Sequence, residues 1–233
     1  MKVSQISIHF PCYAFLSMLS FIHRFKIQPH SKVTWEMTLR CLYKILHNHF
    51  CFIFPLSVLH WYWRSVSSPP LAPDIWSVFK DVLASLLLFD AQYFLWHLLH
   101  HKVSWLYFTF HKEHHLFTST FSLTTEHTSA WEMLSLSFFT TLNVALLGCH
   151  PLAEMLLYVT HMYLSVEAHS GYEFPWSPHR MVPFGLYGGA RHHDLHHFKS
   201  KVNYAPYFTH WDKLFGSLQG ENMQRKTKTL KQL

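Results

Sequence analysis

The sequence predicts an all-α, multi-pass membrane protein, on three observations. Four stretches, about 6–25, 45–63, 75–96 and 133–166, are apolar over lengths near a bilayer span. Apolar residues make up 49% of the 233 and charged residues only 14%, where a soluble domain carries about 25% charged. Aromatic residues reach 18%, and tryptophan and tyrosine favour the membrane interface. The alternative, buried core helices of a soluble protein, is opposed by spans this long.

The first stretch, Ile6 to Phe25, has no Asp, Glu, Lys or Arg before Arg24. Arg24, Lys26, Lys32, Arg40 and Lys44 follow as a basic loop. The second stretch contains FCFIFPLSVLHWYW, with His47, His49 and His60 near its ends. The segment SVSSPPLAPD (65–74) breaks the pattern and holds no Lys or Arg. In the third stretch Asp90 lies among apolar residues, which is costly in lipid unless paired. A cluster histidine or Lys112 is its expected partner. Met133 to Val166 is interrupted by Gly148-Cys149-His150-Pro151, which predicts a helical hairpin with both ends on one side. The remainder, from Glu167, is polar and basic. There is no internal repeat or low-complexity segment, so residues 1–233 read as one domain, three single spans plus a hairpin, capped by a histidine-rich helical region.

The formal net charge is +6, but the basic residues flank apolar runs, which argues for a membrane surface and against nucleic acid. Their distribution puts the 24–44 loop and all the histidine clusters on the cytoplasmic face, and the 65–74 loop on the lumenal one. Cys12, Cys41, Cys51 and Cys149 are scattered and form no CxxC, so they read as reduced and structural.

Three histidine clusters, 97–101, 111–115 and 193–197, carry the chemistry. His97 and His101 are spaced i, i+4, on one helix face. His111, His114 and His115, and again His193, His196 and His197, are spaced i, i+3, i+4. Helical presentation aims each set at a common point. Eight imidazoles are too many for one metal and suit two, and an all-imidazole shell with room for dioxygen fits iron in an oxygenase. The glutamates with Glu-x-x-His pairs of carboxylate-bridged sites are absent. His100 and His192 fall outside the spacing. A histidine-rich metal transporter is the non-enzyme alternative; it needs ligands spread through several spans, whereas these gather at span ends.

The blocks WHLLHHKVSWLY, TFHKEHH, LLGCHP, HSGYEFPW, VPFGLYGG, HHDLHH and NYAPYFTHWDKLFG, between about residues 24 and 216, resemble the fatty acid hydroxylase and sterol desaturase superfamily. Within it they are most similar to sterol side-chain hydroxylases. Ahead of the first span the chain is shorter than members of that family. The resemblance implies an endoplasmic-reticulum membrane enzyme with two irons, cholesterol as substrate and 25-hydroxycholesterol as product. It also implies dioxygen as co-substrate and electrons from NADPH through a separate reductase or a b-type cytochrome. The sequence itself carries no nucleotide-binding GxGxxG after a strand and no haem-attachment CxxCH. Other sterol or fatty-acyl hydroxylases and desaturases of the superfamily share the same cluster spacing.

His169 is a ninth ligand candidate, because eight ligands leave two metals under-coordinated and the resemblance implies a ligand there. His127 and His179 are weaker candidates, the latter because Pro178 keeps it from a helix interior. Metal-bound histidines give their second ring proton to a carboxylate or carbonyl, and Glu113, Glu167, Asp194 and Asp212 are the carboxylates nearest in sequence. Among Tyr93, Phe94, Trp96, Trp105, Phe108 and Phe110, some are expected to line an apolar slot for substrate.

Overall fold

The computed structural model describes residues 21–63 and 71–220. The expectations for 1–20, for most of the 65–74 break and for the tail beyond 220 lie outside the described residues.

Helix α1 spans Trp35–Asn48. Thr34 starts it, in extended backbone, by accepting the N–H of Met37 at 3.2 Å, a side-chain cap on an otherwise orphaned donor. The second apolar segment therefore begins earlier than its composition indicated, and Arg40 and Lys44 lie on the helix and not in a loop. A π-turn, His49–Ile53, leads into α2, Phe54–Trp63. Pro55 has no N–H for the helical ladder, and the wider turn just before it absorbs the missing bond. Only 6% of the apolar window in Trp35–Leu59 is buried within the protein, so this helix presents its apolar sides to lipid.

Helix α3, Ile75–Lys102, starts at Asp74, whose Oδ1 accepts from the N–H groups of Trp76 and Ser77 at 3.0 Å. It runs past the apolar stretch and so carries the first histidine cluster on its last turns. Helix α4 is Ala130–Leu147, capped by Ser129. Gly148 ends it in the left-handed conformation, φ 61°, which glycine adopts without a Cβ penalty. Helix α5 follows as Pro151–Ala168, with proline at the first position, where its missing N–H costs nothing. The hairpin of α4 and α5 packs against α3, and Val78, Leu86, Phe89, Val144 and Leu157 form the core between them.

Three helices, Trp35–Leu59, Ile75–Lys102 and Ala130–Leu147, are long and apolar enough to cross a membrane; the chain is a membrane protein. The described residues form no β-strand, only isolated bridges of Lys26 with Tyr172 and Tyr187 with Phe208. The cap above the helix ends includes α6, Gly189–Lys199, and α7, His210–Leu214.

Asp90 is fully buried on α3. Its partner is neither a histidine nor Lys112: its Oδ1 accepts the backbone N–H groups of Tyr207 and Phe208 at 3.0 and 3.1 Å. The same loop bridges to the 186–188 segment, with the Gly188 N–H on the Tyr207 carbonyl at 2.8 Å, and the Asp90 carboxylate pins it to the span.

Candidate metal centre

His97 and His101 leave the end of α3. The second cluster is not on one continuous α-helix. His111 closes a π-turn, Tyr107–His111, and His114 and His115 open a 3₁₀ turn, His114–Leu116. The third cluster is on α6, and His169 is the residue that ends α5.

These elements bring all nine histidines into two groups. His97, His101, His111, His115 and His196 form one; His114, His169, His193 and His197 form the other. Within each group, the ring nitrogens lie within 4.8 Å of one another. The three members of a cluster do not aim at a common point. Each i, i+4 pair stays together, while the i+3 residue, His114 or His196, crosses to the other group. Adjacent helical residues point about 100° apart, so His114 and His115, or His196 and His197, face different centres.

The donor chemistry fits metal ions. His97 Nδ1 donates to the carbonyl of Tyr204 at 2.6 Å, and His196 Nδ1 to that of Val202 at 2.7 Å. His111 Nδ1 lies 3.0 Å from Glu132 Oε2. With the ring proton on Nδ1, each of these three presents a lone pair at Nε2. His101 Nε2 lies 3.1, 3.0 and 3.1 Å from the Nε2 atoms of His97, His111 and His115, and His115 Nε2 is 3.1 Å from that of His196. Neutral His101 and His115 supply at most one Nε2 proton each, too few to separate five converging nitrogens. A cation between them removes the repulsion. In the second group, His169 Nδ1 donates to Ser165 O at 2.9 Å. Its Nε2 lies 3.0 Å from that of His193, which is 3.1 Å from that of His197.

Burial is the main cause that holds His111, His114, His115, His193 and His197 well below the ordinary imidazole range, and His169 and His196 at about 4. The rings are therefore neutral, the form in which imidazole ligates.

The carboxylates expected to take the ring protons do other work. Glu113 pairs with Lys44 at 2.9 Å. Glu167 accepts from the Tyr187 hydroxyl at 2.9 Å. Asp194 accepts from Gln28 Nε2 at 3.0 Å and from the Thr120 hydroxyl at 3.2 Å, which ties the segment before α1 to α6. Asp212 accepts the N–H groups of Tyr204 and Ala205 at 2.8 and 3.0 Å. It thereby fixes the loop whose Tyr204 carbonyl holds His97. The carboxylate on a cluster histidine is Glu132, fully buried on α4. Sequence reading missed it because it is far from the clusters in number. Its signal resembles that of Asp90: an acid within an apolar helix, Glu132 in the first turn of α4 and Asp90 midway along α3.

The remaining histidines among the described residues are outside both groups. His100 stacks on Trp96 at 3.6 Å and donates to its carbonyl. His127 is buried, with Nδ1 on the Glu113 carbonyl. His179 pairs with Glu173 at 2.8 Å, and His192 lies 3.2 Å from Asp212. Of the aromatic candidates, Tyr93 lines a cavity against the second group. Phe94 packs on Trp211 and Phe215, and Trp105 and Phe108 are exposed.

The sequence model of the fatty acid hydroxylase family matches residues 82–217, which contain all nine histidines. The chain belongs to the fatty acid hydroxylase family. That makes it a hydroxylating oxidoreductase. A cholesterol 25-hydroxylase-like protein of Danio rerio is 62% identical over 86% of this chain and 80% of its own length. The cholesterol 25-hydroxylase of Homo sapiens is 52% identical over 85% of this chain and 73% of its own length. A cholesterol 25-hydroxylase-like protein of Caenorhabditis elegans is 32% identical over 87% of this chain and 67% of its own length. No solved structure matches.

Proposed function

We propose that this chain is a di-iron monooxygenase that hydroxylates the cholesterol side chain at carbon 25 to give 25-hydroxycholesterol. The observation that carries the metal reading is the division of nine histidines into two sets of converging nitrogens, one of five and one of four. The substrate reading is supported by the names and identities of the relatives.

In this reading His97, His101, His111, His115 and His196 hold one iron and His114, His169, His193 and His197 the other. When bound, the irons supply the redox chemistry that activates dioxygen. The protein's part is positioning and exclusion. The carbonyls of Tyr204, Val202 and Ser165 keep the protons of His97, His196 and His169 on Nδ1, so that Nε2 faces inward. Glu132 does the same for His111. Phe89, Tyr93 and Tyr207, beside the second group, exclude water and present an apolar wall to substrate. Electrons arrive from NADPH through a reductase or a b-type cytochrome that docks on the basic cap. The protein resides in the endoplasmic-reticulum membrane, with the histidines on the cytoplasmic side, where the excess of Lys and Arg supports that orientation.

The test is expression in cells that lack sterol side-chain hydroxylases, with extracted sterols analysed by mass spectrometry. Wild type is expected to form 25-hydroxycholesterol and to purify with about two irons per chain, since the two sites are all-imidazole. His114→Ala and His196→Ala, one from each group, are expected to lose the product. A wild type without 25-hydroxycholesterol, or variants that match it, overturns the assignment.

A further inference from the structure

Two chambers meet beside the second histidine group. The inner one, about 50 Å³, is lined by His114, His169, His193 and Glu132 among others. The outer one, about 310 Å³, reaches Met133, Thr140, Tyr158, His161 and Met162. Six residues line both: Phe89, Thr125, Thr128, Leu136, Ser165 and Tyr207. The largest of these, Phe89, Leu136 and Tyr207, come from α3, α4 and the loop after α6, so they close on the junction from different elements.

We propose that Phe89, Leu136 and Tyr207 form a depth stop that admits only the end of a substrate chain to the histidines, and so chooses the carbon that is hydroxylated. The proposal rests on the sterol reading above and adds the residues that set its position of attack.

Size supports it. A water needs roughly 10–15 Å³ measured this way, so the inner chamber holds about four atoms of that size. A branched alkyl end fits there and a fused ring system does not. The outer chamber is about six times larger (310 against 50 Å³) and can take the ring body. Rigidity supports it too. Tyr207 is held at both ends, its N–H on Asp90 at 3.0 Å and its hydroxyl 3.2 Å from His161 Nδ1. The Phe89 ring lies against the His161 ring at 4.2 Å and stacks on Tyr207 at 6.2 Å. Two aromatic rings tethered to one histidine cannot swing aside independently, so the width of the junction is fixed by the fold.

The test uses the full chain in lipid bilayers and two photoreactive sterols, one with a diazirine at the side-chain end and one with it on the ring system. Crosslinks need no metal turnover. The tail probe is expected to label segment 165–169 and the ring probe the peptides of Met133 or Met162. Leu136→Trp is expected to cut tail labelling of 165–169 on the order of tenfold or more, the low end of the discrimination that one methylene provides in an apolar pocket, with ring labelling retained. Leu136→Ala is expected to move hydroxylation from carbon 25 toward neighbouring chain carbons by a similar factor. Tail labelling confined to the outer chamber overturns the stop. So do Leu136 variants with unchanged labelling and an unchanged 25-hydroxy product, an outcome that leaves the sterol reading standing. If no sterol labels but an acyl-chain probe reaches 165–169 with its tip, the substrate reading falls and the stop survives. Labelling by neither probe class overturns both.

Discussion

Glu132 offers the sharpest test of how the site is held. It is 0% exposed, and its Oε2 lies 3.0 Å from His111 Nδ1. Its Oε1 has no hydrogen-bond partner among the described residues, so its role concentrates on this one contact. Glu132→Gln keeps an oxygen that can accept the ring proton but replaces the carboxyl group by an amide. Glu132→Ala removes the acceptor and leaves the Nδ1 proton buried and unpaired. Loss of a group that orients a ligand typically costs 10–100-fold in metal affinity or activity, about 1.4–2.8 kcal/mol. Glu132→Gln is expected near the lower end and Glu132→Ala near the upper. The assay is iron content after challenge with graded chelator, read alongside product formation. The thermal unfolding of each metal-free variant corrects for general destabilisation. If Glu132→Ala retains iron as wild type does, the carboxylate does not orient His111 and the reasoning fails.

Other perturbations separate anchoring from ligation. Asp212→Ala frees the N–H groups of Tyr204 and Ala205 and loosens the carbonyl that holds His97, so iron retention should fall about tenfold; a change in melting temperature alone would point to a purely structural role. Asp90→Ala leaves the buried N–H of Tyr207 unpaired at about 1–3 kcal/mol, and removes the partner of the half-buried Phe208 N–H as well. Detergent-solubilised protein should therefore melt earlier, with Asp90→Asn restoring most of the loss. Gly171 has φ 72°, and a Cβ there would clash with the Thr120 carbonyl oxygen. Gly171→Ala should destabilise by more than the ~1–2 kcal/mol of the left-handed conformation, and an unchanged unfolding midpoint would contradict that contact.

Much of this protein is legible in its sequence. Apolar length and scarce charge are enough to predict a helical membrane protein, because backbone polar groups in lipid must pair within the segment. Gly148 and Pro151 mark the hairpin, one by its left-handed φ and the other by its missing N–H. All nine histidines of the two groups stand out, eight by spacing and His169 by ligand count and family resemblance. Caps were harder to read: Thr34 shifts the start of α1 because a single side-chain hydrogen bond, invisible to a hydropathy pattern, decides where the helix begins.

The tertiary structure decided the partition and the supports. Spacing of i, i+3, i+4 leaves open whether three histidines serve one centre. The answer depends on what faces them, and His169 at the end of α5 draws His114 and the His193–His197 pair to one side while α3 draws His196 to the other. The partners of the ring protons are long-range: carbonyls from the 202–204 loop and a glutamate on another helix. Proximity along the chain pointed to Glu113, Glu167, Asp194 and Asp212, but burial and helix packing bring Glu132 to His111 instead.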